Sequence, residues 1–557
     1  MSSNKKTGIE NDKNYIKLSG GNPSVYKLKL KDTGRQHLNK KDFGCPSNLI
    51  TTNKTIMLLG ATGSGKTTLI NGMINYILGV KWSDEWRLKL IDEQTNKTQA
   101  ESQTAEVTAY QIHCQNGFRV PYSVTIIDTP GFGDTRGIMH DKEITEKVRK
   151  FFSEQDGILG LDAVCFVVQS ALARLTQTQK YIFEAVLSIF GRDIANNITI
   201  MITFADGQKP PVLDAIEAAD IPCIKKDDGT FLHFKFNNSA LFAQNKELED
   251  NDDEDNFDAM FWKMGTVSMK RFFAHLETME TKSLQLTNQV LFERKQLEAT
   301  VTGIQPLIQT GLAKLDEIKM TSVALEQKQY VMKENENFEY QVDTPKYEKV
   351  NIEKGKFITN CIVCNYTCHY PCAIPVDKDK ARCSAMKNGC CAVCPGKCLW
   401  NVHHNMAYRI EIKTVKETRT YNELKNKYET ALGEKMTIEK IMQQLEKEYY
   451  DVQISVFQMS EKLAKSLTRL KEIALRPDPL ATPDYIDLLI ESEKQMAKEG
   501  FRKRIAELEK IKQQALILQK VERGEPLTGH EERSRINITK RMLGVFNNVA
   551  GWFKQAK

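Results

Sequence analysis

The chain is defined first by what it lacks. Its 557 residues contain no run of about eighteen apolar positions, which excludes a spanning helix. Met1-Ser2-Ser3-Asn4-Lys5-Lys6 has no apolar segment behind it, so no secretory signal is expected. The net charge of +6 is too small for this length to argue for nucleic acid. These absences lead to the expectation of a cytoplasmic protein. With 41% hydrophobic and 27% charged residues, burial is not limiting, and about three or four domains are expected. Cysteine is sparse over the first 360 residues, which hold only Cys45, Cys114, Cys165 and Cys223. The other nine crowd between Cys361 and Cys398, and in a cytosolic chain such crowding reads as metal binding before disulfides.

The apolar run Ile56-Met57-Leu58-Leu59 leads into Gly60-Ala61-Thr62-Gly63-Ser64-Gly65-Lys66-Thr67-Thr68 and then a helix-like stretch from Leu69. A strand, a glycine-rich turn and a helix form a phosphate-binding loop, in which backbone N–H groups and the helix N-terminus face an anion. Lys66 would reach the β- and γ-phosphates and the Thr67 hydroxyl would ligate Mg²⁺. A bound nucleoside triphosphate is therefore expected.

From about residue 52 to 276, further apolar runs (Val124–Ile127, Ala163–Val168, Ile198–Ile202) alternate with helical patterns. Such runs suit strands covered on both faces, so an α/β, doubly wound P-loop domain is predicted, preceded over 1–51 by a mobile arm or an edge addition to that domain, with a possible short strand at Val25–Leu30. Asp128, at the end of the second strand, would hold the Mg²⁺ shell, and the Gly131 amide would sense the γ-phosphate. Thr104 is the first choice for a switch threonine reaching Mg²⁺, with Thr108 the alternative. Thr203-Phe204-Ala205-Asp206 places a carboxylate where it could accept both donors of the guanine edge; adenine offers no such pair. Phe234-Lys235-Phe236-Asn237-Asn238-Ser239-Ala240 reads as a short strand whose polar end meets the base.

The order of these motifs resembles the septin-like and immunity-associated (GIMAP) GTPases of the TRAFAC class, over less than half of the chain. The resemblance implies GTP/GDP and Mg²⁺ as ligands. It assigns Gly60, Thr62, Gly63, Ser64, Gly65, Lys66, Thr67 and Thr68 to phosphate and Mg²⁺. It gives Thr104, Asp128 and Gly131 to the γ-phosphate side, and Thr203, Asp206 and Asn238 to guanine. Lys66, Thr104 and Gly131 are the catalytic candidates. The resemblance also implies homodimers or oligomers formed across the nucleotide face. Two positions depart from expectation: Phe204 stands where the family usually has Lys or Arg, and Phe132 stands where Ras-like enzymes carry a water-orienting glutamine. Slow hydrolysis is expected, with Arg136 or His140 as candidates for help across a dimer.

Beyond an acidic stretch at 247–255, Leu284, Leu291, Leu297, Val301, Ile304, Ile308, Leu312, Leu315 and Ile318 recur at helical spacing, broken near Gly303 and Pro306. Ile438, Met442, Leu445, Tyr449, Val452, Val456, Met459 and Leu463 repeat the theme. Two long helices, over 277–340 and 416–475, are expected to pair as an extended stalk or in an ordinary bundle. A Cys/His-rich knob over 341–415 is expected at their tip. Its candidate ligands are Cys361, Cys364, Cys368, His369, Cys372, Cys383, Cys390, Cys391, Cys394, Cys398 and His403, with His404 adjacent. Cys-x-x-Cys places two thiolates on one turn at the separation that tetrahedral Zn²⁺ needs, and one or two structural zinc ions are expected. A protein-binding surface or a redox role stays open.

A helical region over 476–530 follows. On a helical wheel, Met542, Leu543, Val545, Phe546, Val549, Ala550, Trp552, Phe553 and Ala556 share one half, with basic residues at the ends. An amphipathic helix over 531–557 that lies in a membrane interface fits this pattern, as does docking onto the protein's own body. The functional readings are a GTP-dependent switch or scaffold on intracellular membranes, or a zinc and coiled-coil adaptor whose nucleotide is not cycled.

Overall fold

Strands that must be covered on both faces need helices on both sides, and the computed structural model builds its main sheet in this way. It describes residues 13–34, 39–46, 52–92, 104, 106–133, 138–153, 157–173, 177–226, 228–245, 257–330, 339–394, 396–433, 435, 438–477, 483–496, 501–525 and 527. The expected acidic loop at 247–255, Arg136 and the whole 531–557 segment lie outside these residues. No described helix is long and apolar enough to cross a membrane. The chain divides into two units, one of residues 1–291 with 471–511 and one of 292–470 with 512–557.

The first unit holds an eight-stranded sheet. In chain order its strands are β1 (Lys31–Asp32), β2 (Asn39–Phe43), β3 (Asn53–Gly60), β4 (Thr108–Ile112), β5 (Ser123–Asp128), β6 (Ala163–Gln169), β7 (Ile198–Thr203) and β8 (His233–Lys235). Their spatial order is β8-β7-β6-β3-β5-β4-β2-β1. The five strands from β8 to β5 run parallel, whereas β4 runs antiparallel to β5. The four apolar runs expected as strands are β3, β5, β6 and β7, and most of their side chains are fully buried. Helices α1 (Lys66–Ile77), α2 (Ile138–Ser153), α3 (Gln177–Leu187), α4 (Val212–Ala218) and α5 (Phe257–Thr278) complete the α/β arrangement.

Two boundaries differ from the sequence reading. The described residues before 52 form the edge addition and not a separate arm: β2 pairs with β4, and Ser24–Leu28 pairs with both Tyr15–Ser19 and Trp86–Lys89. Tyr26 and Leu28 are buried in the same core as Leu69, Ile70 and Met73 of α1. Residues 471–511 also belong to this unit. Leu475 N–H donates to Phe190 O at 3.0 Å. The Arg476 guanidinium donates to Ala219 O at 3.0 Å and also to Asp220 O. Helix α9 (Pro483–Met496) follows that tie.

The second unit takes most of α6 (Gln285–Tyr330), a helix of 46 residues that passes through Gly303 and Pro306 without a break. Leu297, Val301 and Ile304 are buried as the spacing predicts. Leu312 is the exception at 45% exposure, and Ala313 is buried in its place. Where the Cys/His-rich knob was expected to follow the first helix directly, the chain first forms a two-stranded ribbon. Strand β9 (Glu339–Asn351) pairs antiparallel with β12 (Tyr408–Thr420) over thirteen positions, from Glu339↔Thr420 to Asn351↔Tyr408. Pro345 is tolerated because each strand of a two-stranded ribbon has a free edge. Between the two strands lie β10 (Phe357–Cys361), β11 (Tyr366–Cys372) and the cysteine-rich loops. After the ribbon come α7 (Tyr421–Leu432), opened by a capping box of Thr420 and Glu423, and α8 (Ile438–Ile473). Then follow α9 and α10 (Phe501–Glu522).

The ribbon corrects the expected position of the knob. Thirteen strand residues span about 43 Å, close to the roughly 40 Å that α6 rises from residue 303 to 330. The ribbon therefore carries the knob back along α6 instead of leaving it at the tip. Tyr366 Oη donates to Gly303 O at 3.0 Å, and Gln296 Nε2 donates to Ser384 O at 3.2 Å. A Cβ on Gly303 would lie 3.1 Å from both Val393 Cγ1 and Met459 Cε, so glycine here permits the close approach of knob and α8.

Candidate functional site

The nucleotide loop sits where β3 ends, and its neighbours on either side are the flanking strands. The register Leu58↔Asp128 brings Asp128 beside the strand that feeds the loop, and Gly60 pairs with Val167 on the other side. Lys66 is buried and donates to Gly60 O at 3.1 Å and Ala61 O at 3.0 Å. Its ammonium is thus held at the loop, on the side where phosphates would lie. Gly65 has a φ of 84° and caps α1 with no side chain, and no acidic residue occupies the first turn. The helix N-terminus is left with its donors and positive end for an anion. Thr62 Oγ1 and Ser64 Oγ are buried with no hydrogen-bond partner, as hydroxyls awaiting a ligand would be.

Three braces hold this loop; sequence reasoning named Thr203 and Phe132 for other roles and did not name Gln169. Thr203 Oγ1 donates to Ser64 O at 2.7 Å. Gln169, at the end of β6, donates through Nε2 to Gly63 O at 2.9 Å. Phe132 zips its backbone to the loop: its N–H donates to Gly60 O at 3.2 Å, and its carbonyl accepts from Thr62 N–H at 2.8 Å. A Cβ on Gly131 would fall 2.6 Å from Thr62 Cα, so only glycine fits the approach. The Phe132 ring is fully buried and takes the place a water-orienting side chain would need.

Thr104 Oγ1 donates to Asp128 Oδ2 at 3.2 Å, bringing the switch threonine to the carboxylate of β5, whereas the alternative, Thr108, starts β4. Thr67 on the first turn of α1, Thr104 and Asp128 offer the hard oxygen donors that suit Mg²⁺. Thr68, next along the helix, is exposed. His140 lies in α2, not in a loop, with Nδ1 3.6 Å from Glu143 Oε2.

On the base side, Asp206 is exposed and its Oδ1 accepts from Gln208 N–H at 3.0 Å. Lys235 Nζ donates to Gly207 O at 2.7 Å and fixes the same loop. Phe204 is 58% exposed at a φ of 52°. Its Cε2 lies 3.5 Å from where a Gly65 Cβ would be. Asn237 and not Asn238 joins the two base-side loops. It donates to Ala205 O at 3.2 Å and accepts from Ser239 Oγ at 2.9 Å. The Asn238 Oδ1 is turned toward α1, 3.3 Å from the Cβ position of Gly72. The double Asn was visible in the sequence, but the choice between neighbours depended on tertiary contacts.

The phosphate loop, the Asp128 strand end and Asp206 therefore meet in one place. The family model described as the AIG1 family matches residues 54–220. Residues 54–220 form an AIG1-family GTPase domain. The Translocase of chloroplast 34 homolog, chloroplastic, of Chlamydomonas reinhardtii is 27% identical over 166 residues, or 29% of this chain and 37% of that protein. The chain thus matches well under half the length of this relative. Among solved structures, Toc33 from Arabidopsis thaliana in complex with GDP and Mg²⁺ is 16% identical, covering 39% of this chain and 85% of that one with a TM-score of 0.26. Toc33 in complex with Mg²⁺ and GMPPNP is 14% identical, covering 41% and 87%, again with a TM-score of 0.26. The match falls on the immunity-associated side of the expected resemblance. Within the matched residues lie the phosphate loop, Asp128 and Asp206.

Outside the AIG1 match, the knob brings ten of the twelve candidate ligands into three groups. Cys361, Cys364, Cys394 and Cys398 form one, Cys368, Cys391, Cys394 and His403 a second, and His369, Cys372 and Cys383 a third. Within each, the ligand atoms all lie within 4.8 Å of one another. The turns are built by backbone N–H donors to sulfur: Cys364 to Cys361 Sγ and Cys394 to Cys391 Sγ, both at 3.3 Å. The interaction with the Cys368 sulfur holds the Cys391 thiol far down, at about 3, and the interaction with the Cys383 sulfur does the same for Cys372. Two candidates fall outside the groups. Cys390 is exposed in the short strand Cys390–Cys391, opposite Lys387, and His404 Nδ1 is engaged with Asp377 Oδ2 at 3.1 Å.

Proposed function

We propose that this chain is a slow GTPase that acts as a nucleotide-dependent switch or assembling scaffold at the surface of intracellular membranes. The observation that carries the reading is the contact between Thr104 and Asp128 beside Lys66. It gives the domain a threonine able to exchange a carboxylate partner for a Mg²⁺-bound γ-phosphate. GTP and Mg²⁺ are bound by Gly60 to Thr68, Thr104, Asp128 and Gly131, and guanine is read by Thr203, Asp206 and the Asn237–Asn238 turn. The buried ring of Phe132 supports slow turnover, with homodimers across the nucleotide face supplying what that position lacks. Turnover per subunit should then rise with protein concentration; equal rates in dilute and concentrated samples would overturn the dimer step. The knob holds structural zinc, which suits thiolate-rich and closed donor sets. The 531–557 segment, amphipathic in its sequence pattern, supplies the membrane contact.

The test of this reading is liposome co-sedimentation of the full chain with GDP and with a non-hydrolysable GTP analogue, beside a chain ended after Lys540. Pelleting that requires both the GTP analogue and the last segment supports the switch. Pelleting indifferent to both favours a second reading, a zinc and helical adaptor that binds nucleotide without cycling it. Phe132 is the specific observation in favour of that alternative.

A further inference from the structure

Cys394 belongs to two ligand groups at once. Its Sγ lies within 4.8 Å of the sulfurs of Cys361, Cys364 and Cys398, and equally of Cys368 Sγ, Cys391 Sγ and the near ring nitrogen of His403. Tetrahedral zinc with Zn–S bonds of about 2.3 Å sets ligand sulfurs roughly 3.8 Å apart. The Cys364 and Cys398 sulfurs stand at 3.6 Å. Two tetrahedral ions need eight ligand positions, and these two groups contain seven different residues. The count closes when one thiolate serves both ions.

We propose that the knob holds a binuclear zinc centre in which Cys394 bridges an ion on Cys361, Cys364 and Cys398 to an ion on Cys368, Cys391 and His403. The inference rests on reading the knob as a zinc site and adds its architecture. Giving Cys394 to one ion alone would leave the other three-coordinate in a closed, buried setting, since Cys361, Cys368, Cys391, Cys394 and His403 are each 2% exposed or less. His403 is oriented for its part. Nδ1–H donates to Leu399 O at 2.9 Å, which leaves the Nε2 lone pair free, and Nε2 is buried with no hydrogen-bond partner. Six thiolates against two divalent ions leave a charge of about −2, which the N–H donors to Cys361 and Cys391 offset in part. The His369, Cys372 and Cys383 group shares no ligand with this pair.

The experiment uses the purified full chain, first for metal content and then after exchange into ¹¹³Cd. A shared sulfur transmits scalar coupling between two cadmium nuclei, so two resonances that split each other are expected, with any signal from the His369 group unsplit. Bound metal with no mutual splitting overturns the bridge and leaves the zinc reading intact. A chain that purifies without metal and takes up none overturns both. Cys394→Ser should release two ions where Cys361→Ser releases one; equal loss counts against the bridge. Because Cys394→Ser could fail to fold, the coupling in the unsubstituted chain decides the matter.

Discussion

Lys314 Nζ of α6 lies 2.6 Å from Glu448 Oε2 of α8 and 3.1 Å from Glu317 Oε2, so one ammonium ties two helices of the second unit. Burial pulls the Lys314 pKa down, but the two carboxylates outweigh it and the net shift is upward. Burial likewise pushes Glu448 up, and the hydrogen bond from Lys314 brings it below the ordinary value. Glu448 therefore stabilises the fold above its unfolded pKa and loses that contribution as pH falls through its lowered folded value. Lys314 contributes fully below its unfolded pKa and stops doing so as pH rises through its raised one. The tie is at full strength around neutrality. Lys314→Met should cost about 1–3 kcal/mol, because it takes the shared ammonium away from two partly buried carboxylates. Urea unfolding at pH 7 measures this, and an unchanged midpoint would count against the tie.

Thr203→Val removes the hydroxyl that holds Ser64 O without changing side-chain shape. A brace of this kind is worth about 1 kcal/mol, so GDP affinity should fall roughly five- to ten-fold while the thermal midpoint of the apo protein moves little. Titration calorimetry with GDP makes the comparison. Affinity equal to the unsubstituted chain would mean the loop holds its shape without Thr203.

Phe204→Gly should have opposite effects on stability and binding. The left-handed backbone at 204 costs a side chain about 1 kcal/mol that glycine does not incur, so the fold should gain stability. The exposed ring beside Gly65 is placed to stack on a base, an interaction worth about 1–3 kcal/mol, so nucleotide affinity should drop ten-fold or more. Affinity that holds while stability rises would show that the ring does not touch the base.

Metal removal should separate the two units. Chelation at neutral pH is expected to lower the unfolding temperature of the second unit, whose knob has a core made largely of cysteines. GDP binding, served by residues of the first unit, should persist. A single melting transition unmoved by chelator would mean that the cysteine core holds without metal.

The first unit was legible because its signals are local. An apolar run followed by Gly60–Thr68 dictates strand, turn and helix, and Asp128 ends a run of the same kind. Strands Asn39–Phe43 and Thr108–Ile112 were harder, since one is lysine-rich and the other follows a polar stretch, and only pairing with each other and with Ser123–Asp128 makes them part of the sheet. The ribbon at 339–351 and 408–420 was readable in part. Tyr408, Ile410 and Ile412 alternate with charged residues at the period of two that marks a strand, but the crowded cysteines between the two segments are the stronger local signal and point to a knob. Which helix face the knob would meet was not written locally at all. It depends on Gly303, whose missing side chain reads in sequence as a helix flaw and in space as a seat for Val393 and Met459.

The ribbon has one more consequence, concerning how such a chain could have been assembled. Glu339 and Thr420 are register partners, so the 80 residues between them leave and re-enter the helical framework through a single doorway about 5 Å wide. A segment with adjoining ends can be gained, lost or exchanged as one cassette without changing the course of the helices on either side. The metal-ligand chemistry of the knob and the nucleotide chemistry of the first unit can therefore have had separate histories within one chain.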